Sequence, residues 1–399
     1  MVRLEVGVAE DFACRGSQDP ALACPVGMKW THALTATLVI LVTAGCGDPG
    51  PPAGASVVSA EDQGTLETNS LIRGRDGGYS AWIDGRSVWA YGDTILSEPA
   101  DNGSSWRHNS WSWTDDRVAA DGITGFSEPV DAAGAPTELF PQTDAEQAFN
   151  AAHFIEPCTA EPCGARWALW PGAIVDDPDR SRALVFYSKI YAEPGDFNFA
   201  SVGSSIAVWP YGDAQPTRPE VSPGAPHPTL LFPEGDLELG SAALTADGML
   251  YAYACGGEGK ACRVGRAPLD DVLDRSAWRF WSGDDWVTDA REAVCAFAGM
   301  DIASVAWNPA LDRYLAVYSE PLGTRAMLRT SPAPEGPWSA PITGFDAMPP
   351  DGDGWIYDIL PHPELAESDG LVQYMTYSRA TGFFQSELRV VRLTLAPAP

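Results

Sequence analysis

Residues 78–94 read Gly-Tyr-Ser-Ala-Trp-Ile-Asp-Gly-Arg-Ser-Val-Trp-Ala-Tyr-Gly-Asp-Thr: an aromatic apolar run, an Asp-Gly-Arg turn, a second aromatic run and an abrupt Gly-Asp-Thr. Two short runs of this kind around such a turn predict a β-hairpin, because Asp and Gly tolerate the backbone conformations of a tight reversal. The unit recurs four times, in residues 166–175 with 183–187, 240–244 with 249–254, 302–308 with 314–318, and 356–360 with 372–377. Their turns are Asp176-Asp177-Pro178-Asp179, Ala246-Asp247-Gly248, Asn308-Pro309-Ala310-Leu311-Asp312 and Pro361-His362-Pro363-Glu364-Leu365. The third and fourth units run on into strands bearing Trp278, Trp281 and Trp338. A β-sandwich also has short strands, but a recurrent order of strand, polar turn, aromatic strand and later Trp predicts radially repeated sheets. The expected fold is all-β, a five-bladed β-propeller forming one domain over residues 58–399.

Outside these units little is patterned. Only residues 267–278 suggest a short helical turn, and residues 115–149 form a long excursion suited to shaping a cleft. The 399 residues are 45% hydrophobic, enough for a substantial core, and 25 Lys and Arg stand against 54 Asp and Glu. The formal charge of −29 excludes nucleic acid and anionic lipid as partners, since both would be repelled.

Residues 1–27 hold acidic side chains and no sustained apolar run, and read as an over-extended start of the reading frame. Met28-Lys29-Trp30-Thr31-His32 and the apolar run after it form a signal peptide, residues 28–45, that is too short to span a membrane with its own flanks. It ends Thr43-Ala44-Gly45-Cys46, so Cys46 is the expected lipidation site, followed by a flexible tether over residues 46–57. This places the chain at the bacterial cell envelope, on the outer membrane or cell surface, held to membrane only by its lipid and acting as a monomer. In an oxidising compartment Cys158 with Cys163 and Cys255 with Cys262 are expected to clip local turns, leaving Cys295 over. Zinc is not expected, because these spacings contain no CxxC pair and no neighbouring His.

In a small propeller the innermost strands open near the axis, so the residues at their starts converge. Those residues are Asp76, Trp170, Glu238, Asp301, and Tyr357 or Asp358, and pairing of the first-unit strands would set Asp93 beside Asp76. Two carboxyl groups in an aromatic pocket suffice for glycoside hydrolysis, one protonating the leaving oxygen and the other activating water or attacking carbon. Asp76 and Asp93 are the expected catalytic pair, with Glu238 or Asp301 raising the acid's pKa through like-charge proximity. Asp76 reads equally as a turn residue, whereas Asp93 interrupts an apolar strand. Arg75, His108, Asn109, Trp111, Trp170 and Tyr357 are the candidate substrate contacts, with an exposed loop or blade packing as the alternative. Five His, no GxSxG and no HExxH argue against other hydrolytic machinery, and no cofactor fingerprint is present. Asp351-Gly352-Asp353-Gly354 reads as a plain turn or a structural calcium loop.

The pieces Asp76-Gly77-Gly78, Val88-Trp89-Ala90-Tyr91 with Gly92-Asp93-Thr94, Asn109, Trp170-Pro171-Gly172, Asn308-Pro309, Gly336-Pro337-Trp338 and His362-Pro363-Glu364-Leu365 resemble domain-of-unknown-function family 4185. Its characterised members form glycoside hydrolase family 183. The resemblance implies a five-bladed propeller, endo-cleavage of D-arabinan and a first-blade aspartate pair at Asp76 and Asp93. The expected function is therefore hydrolysis of a cell-wall or extracellular polysaccharide, with a non-catalytic carbohydrate-binding propeller as the alternative.

Overall fold

The computed structural model describes Cys46 and residues 50–399, apart from 196, 353 and 399. The expected leader segments over residues 1–45 lie outside the described residues. Within them the chain is all-β, with one α-helix, and every recurrent unit of the sequence begins a sheet of its own. The first sheet holds strands Gly78–Ile83, Arg86–Tyr91 and Ser110–Thr114. The second holds Arg166–Asp177, Arg182–Ala192, Phe199–Pro210 and Phe232–Pro233. The third starts with Ala242–Ala246, Met249–Gly256 and Ala261–Pro268, and the fourth runs Ala303–Asn308, Arg313–Ser319, Arg325–Ser331 and Ile342–Asp346. The fifth orders Ile356–Pro361, Val372–Gly382, Gln385–Pro397 and then Ala55–Thr65, so the two ends of the described chain pair in one sheet. A small sixth sheet of Ile72–Arg75, Thr94–Leu96 and Trp106–Arg107 adjoins the first.

The leading strands of the five main sheets lie side by side in chain order, and the fifth also touches the first. Hydrogen bonds stitch them together at close range: Ala173 N–H donates to Gly240 O at 2.9 Å, Ala303 N–H to Ser241 O at 3.1 Å, and the Tyr79 hydroxyl to Ser241 O at 2.9 Å. Between the sheets sit the aromatics that the hairpins bring, with Trp89, Trp278, Tyr91, Tyr187, Phe186 and Phe232 fully buried. A fully buried Phe contributes about 1.5–3 kcal/mol relative to exposure.

Three expectations are corrected. Residues 50–57 are not a free tether: Ala340 N–H donates to Pro51 O, Gly54 N–H to the Thr330 hydroxyl at 2.7 Å, and Ala55 already opens a strand. Backbone groups begin this docking and the buried Ala55 side chain completes it, which a segment of small residues conceals. Cys46, expected to carry a lipid thioether, is disulfide-bonded to Cys295, the cysteine expected to be left over. One sulfur holds one or the other. The Cys158–Cys163 and Cys255–Cys262 bonds form as expected, the latter between directly paired strand residues. Finally, the excursion ends in a helix, Asp144–His153, where the Thr143 hydroxyl caps Glu146 N–H and the Glu146 carboxylate caps Thr143 N–H. Glu146 is buried and also binds Lys189 and Arg218, each at 2.6 Å, which pins the helix to the second sheet.

Candidate active site

The chain passes from the sixth sheet to the first through Asp76 and returns through Asp93. Arg75 faces Thr94 on one side of this crossing and Gly78 faces Tyr91 on the other, while Asp76 N–H donates to Asp93 O at 3.0 Å. Both aspartates thus sit side by side in a gap between two ladders, where side chains are not committed to a sheet face. Two glycines make room. A Cβ on Gly92 would lie 3.0 Å from the Asp76 Oδ2, and one on Gly77 would lie 2.5 Å from the Asp358 Cβ.

Asp358 is the third member. It lies inside strand Ile356–Pro361 at a β-bulge between Tyr357 and Leu360, with a left-handed backbone of φ 55°. The bulge turns its carboxyl inward, where Oδ2 accepts Gly77 N–H at 3.0 Å. The Tyr357 hydroxyl donates to Asp76 Oδ1 at 2.8 Å, and the Trp170 indole N–H donates to Asp93 Oδ1 at 3.0 Å.

Electrostatics separate the three acids. Burial, then the charges of Asp358 and Asp93, push Asp76 well above the usual carboxylate range, against the Tyr357 hydrogen bond. Burial pushes Asp93 up to about 6, opposed by the indole N–H groups of Trp106 and Trp170 and by the Arg166 charge. Burial likewise pushes Asp358 up to about 7, opposed by the Gly77 N–H and reinforced by Asp301. The cluster therefore holds fewer than three charges near neutrality, the protons being shared as in any tightly coupled group. Asp76, with a carboxyl on either side, is held well above the usual carboxylate range. Asp93, which accepts the Trp170 indole N–H and lies in the field of the Arg166 charge, is the one best able to stay ionised.

The other predicted residues divide. Trp170 and Tyr357 reach the site, but their polar atoms are aimed at the acids. Asp301 stands half-exposed at the rim, ion-paired with Lys260, and Glu238 is exposed; the carboxyl beside Asp76 and Asp93 is Asp358 instead. Asn109 is wholly buried, donating to Leu169 O and accepting from Leu139 N–H, which ties the first sheet to the second. Trp111 packs against Trp113 and Trp209 in the core. Arg75 is buried, 2.6 Å from Glu128 and over the Tyr91 ring. None of these three can meet a substrate. His108 is buried against Phe154, is pushed down to about 3 by burial and by Arg166 and Arg107, and lines a cavity of about 380 Å³ with Trp106, Glu138 and Gln142. Asp351, expected as a turn or calcium ligand, is ion-paired with Arg379, and Asp353 lies outside the described residues. Sequence reasoning missed the parts played by Trp106 and Arg166, and left Asp358 as an alternative to Tyr357. An acid inside the apolar run Ile356-Tyr357-Asp358-Ile359-Leu360 was the available signal.

Residues 215–379 match DUF4185, a domain of unknown function. The matched DUF4185 segment includes Glu238, Asp301, Tyr357 and Asp358 and lies C-terminal to Asp76 and Asp93. Comparison with curated proteins finds no match. Among solved structures, a Bacteroides ovatus protein described provisionally as a hydrolase is similar in fold, with a TM-score of 0.54 at 15% identity over 81% of this chain and 87% of that one. The catalytic domain of a Coprinopsis cinerea GH62 α-L-arabinofuranosidase aligns at 14% identity over 87% and 98% of the two chains, with a TM-score of 0.43. A GH43_1 enzyme from Xanthomonas citri aligns at 12% identity over 86% and 90%, with a TM-score of 0.44.

Proposed function

We propose that the protein is a glycoside hydrolase of the bacterial cell envelope that cleaves an extracellular or cell-wall polysaccharide, with endo-cleavage of D-arabinan as the specific reaction. In this reading the five main sheets are the blades of a five-bladed β-propeller, and Ala55–Thr65 closes the ring by completing the last blade. The chain acts as a monomer in an oxidising compartment, consistent with the three disulfides among the described residues.

The observation that carries the proposal is the meeting of Asp76 and Asp93 beside a third carboxyl, Asp76 being pushed well above the usual carboxylate range and Asp93 up to about 6 in different surroundings. Different surroundings are what divide such a pair into acid and base. Asp76, kept protonated by burial and by its neighbours' charges, donates to the departing glycosidic oxygen. Asp93, its charge supported by Trp106, Trp170 and Arg166, activates water or attacks the anomeric carbon. Asp358 touches neither reacting atom and serves to hold the Asp76 proton. A carbohydrate-binding module needs aromatic platforms but gains nothing from repelling carboxyls, so the cluster favours the enzyme.

The test is reducing-sugar release by the full chain from soluble D-arabinan, L-arabinan, arabinoxylan and galactan. Asp93→Asn is expected to lower turnover of the cleaved glycan at least 100-fold with an unaltered circular dichroism spectrum. Undiminished turnover by that variant, or no cleavage of any glycan by the parent, refutes the reading.

A further inference from the structure

The hairpin tips of the sheets differ at the two ends of the strands. A leading strand starts at the acid cluster, so the first turn of each sheet lies at the far end and the second turn returns to the cluster. Left-handed non-glycine residues occur at both sets of turns. At the far end they are Asp84, Ser181, Asp247, Asp312, Ser368 and Asp369, ordinary turn formers. At the cluster end they are Phe197, Lys260, Leu322 and Phe384, with φ between 50° and 56°. A bulky side chain is rarely found in this conformation and is strained there, unlike Asn or Gly. The far end of the same sheets shows that this chain makes equivalent turns without the strain.

The rings so presented are exposed and continuous with the acids. Phe197, Phe199, Trp355, Phe383 and Phe384 are all more than 40% exposed. Phe199 lies 4.9 Å from Trp170, whose N–H is on Asp93, and Trp355 lies 6.5 Å from Tyr357, whose hydroxyl is on Asp76. Phe197 leans on Trp355 at 6.0 Å although the two belong to different sheets. On the other side Phe384 meets Trp106 at 5.6 Å and Phe383 at 4.4 Å.

We infer that Phe197 and Phe384 are stacking platforms for an extended glycan: sugar rings ride over Phe197, Phe199 and Trp355 on one flank of Asp76 and Asp93, and over Phe383 and Phe384 on the other. The substrate is thus a chain of several residues with apolar ring faces, rather than a short terminal unit. This rests on the hydrolase reading above. The contact of Phe199 and Trp355 with Trp170 and Tyr357, which hydrogen-bond the acids, and of Phe384 with Trp106 beside them, is what assigns the rings to a glycan instead of a second protein or a lipid surface.

The experiment is affinity electrophoresis of the full chain through gels containing soluble D-arabinan, arabinoxylan or galactan, comparing Phe197→Asn, Phe384→Asn and the double variant with Phe197→Trp and Phe384→Trp. Each Asn variant is expected to lose retention roughly 3- to 10-fold, and each Trp variant to keep it. Asn tolerates the left-handed backbone, so the Asn variants are expected to melt no lower than the parent, whereas a packing role would lower their melting temperature. Unchanged retention, retention of the parent by none of the three polymers, or loss instead of vesicle binding or self-association overturns the inference. The gel reads binding without turnover: weakened retention with no cleavage by the parent faults the hydrolase reading alone, and cleavage with unweakened retention faults the platforms alone.

Discussion

Replacing Asp358 by Asn is expected to stabilise the protein, and only above acidic pH. The carboxyl is 6% exposed, and burial holds its pKa at about 7 in the folded state against a reference of 3.8. Below about pH 3 it is protonated in both folded and unfolded chains and contributes little difference. As pH rises, the unfolded chain ionises first while the folded chain keeps its proton, so stability is lost progressively until the folded pKa is passed near pH 7 and is level beyond it. The gap between the two pKa values corresponds to about 4 kcal/mol at pH 8.5. Asn is nearly isosteric, tolerates φ 55°, and its amide oxygen still accepts Gly77 N–H. Urea denaturation of parent and variant at pH 3, 6 and 8.5 is expected to show a difference near zero, then intermediate, then several kcal/mol in favour of the variant. The same substitution removes a charge that raises Asp76, so the alkaline limb of the hydrolysis profile moves to lower pH. A variant that is destabilised at every pH, or a difference that does not depend on pH, would refute the account of a strained acid cluster.

Other outcomes follow from single contacts. Glu146→Gln leaves Lys189 and Arg218 buried without their counter-charge and is expected to cost about 3–5 kcal/mol, read by denaturation at neutral pH. Peptide mapping of the alkylated, non-reduced protein is expected to recover Cys46 linked to Cys295; a diacylglycerol mass on Cys46 would refute the cross-link and restore the anchor. Cys295→Ser is expected to lower stability by about 2–5 kcal/mol, because the bond closes a loop spanning most of the chain.

Most strand pairs were legible because their cues are local. The alternation of Val88, Trp89, Ala90 and Tyr91 and the Asp84-Gly85 reversal specify a hairpin wherever they occur. Helix Asp144–His153 carried a local cue too, the Thr143-Asp144-Ala145-Glu146 cap, but its apolar face is weak and its stability comes from Lys189 and Arg218, 43 and 72 residues beyond Glu146. Asp93 stood out because it broke an apolar strand. Asn109 and Trp111 lay just as close to it in sequence, yet strand alternation and packing turned both inward.

Taken alone, the amino-acid order determined the recurrent hairpins, the aromatic core and the singular position of Asp93, all of which depend on periodicity and turn chemistry within a few residues. Only the folded chain decided that Asp76 and Asp93 lie side by side, that Asp358 completes the cluster with Asp301 acting on it from outside, and that Cys46 meets Cys295. Those outcomes depend on a bulge, on glycine-sized gaps and on the joining of distant sheets. Such contacts span up to 281 residues, as between Gly77 and Asp358, and no local pattern encodes them.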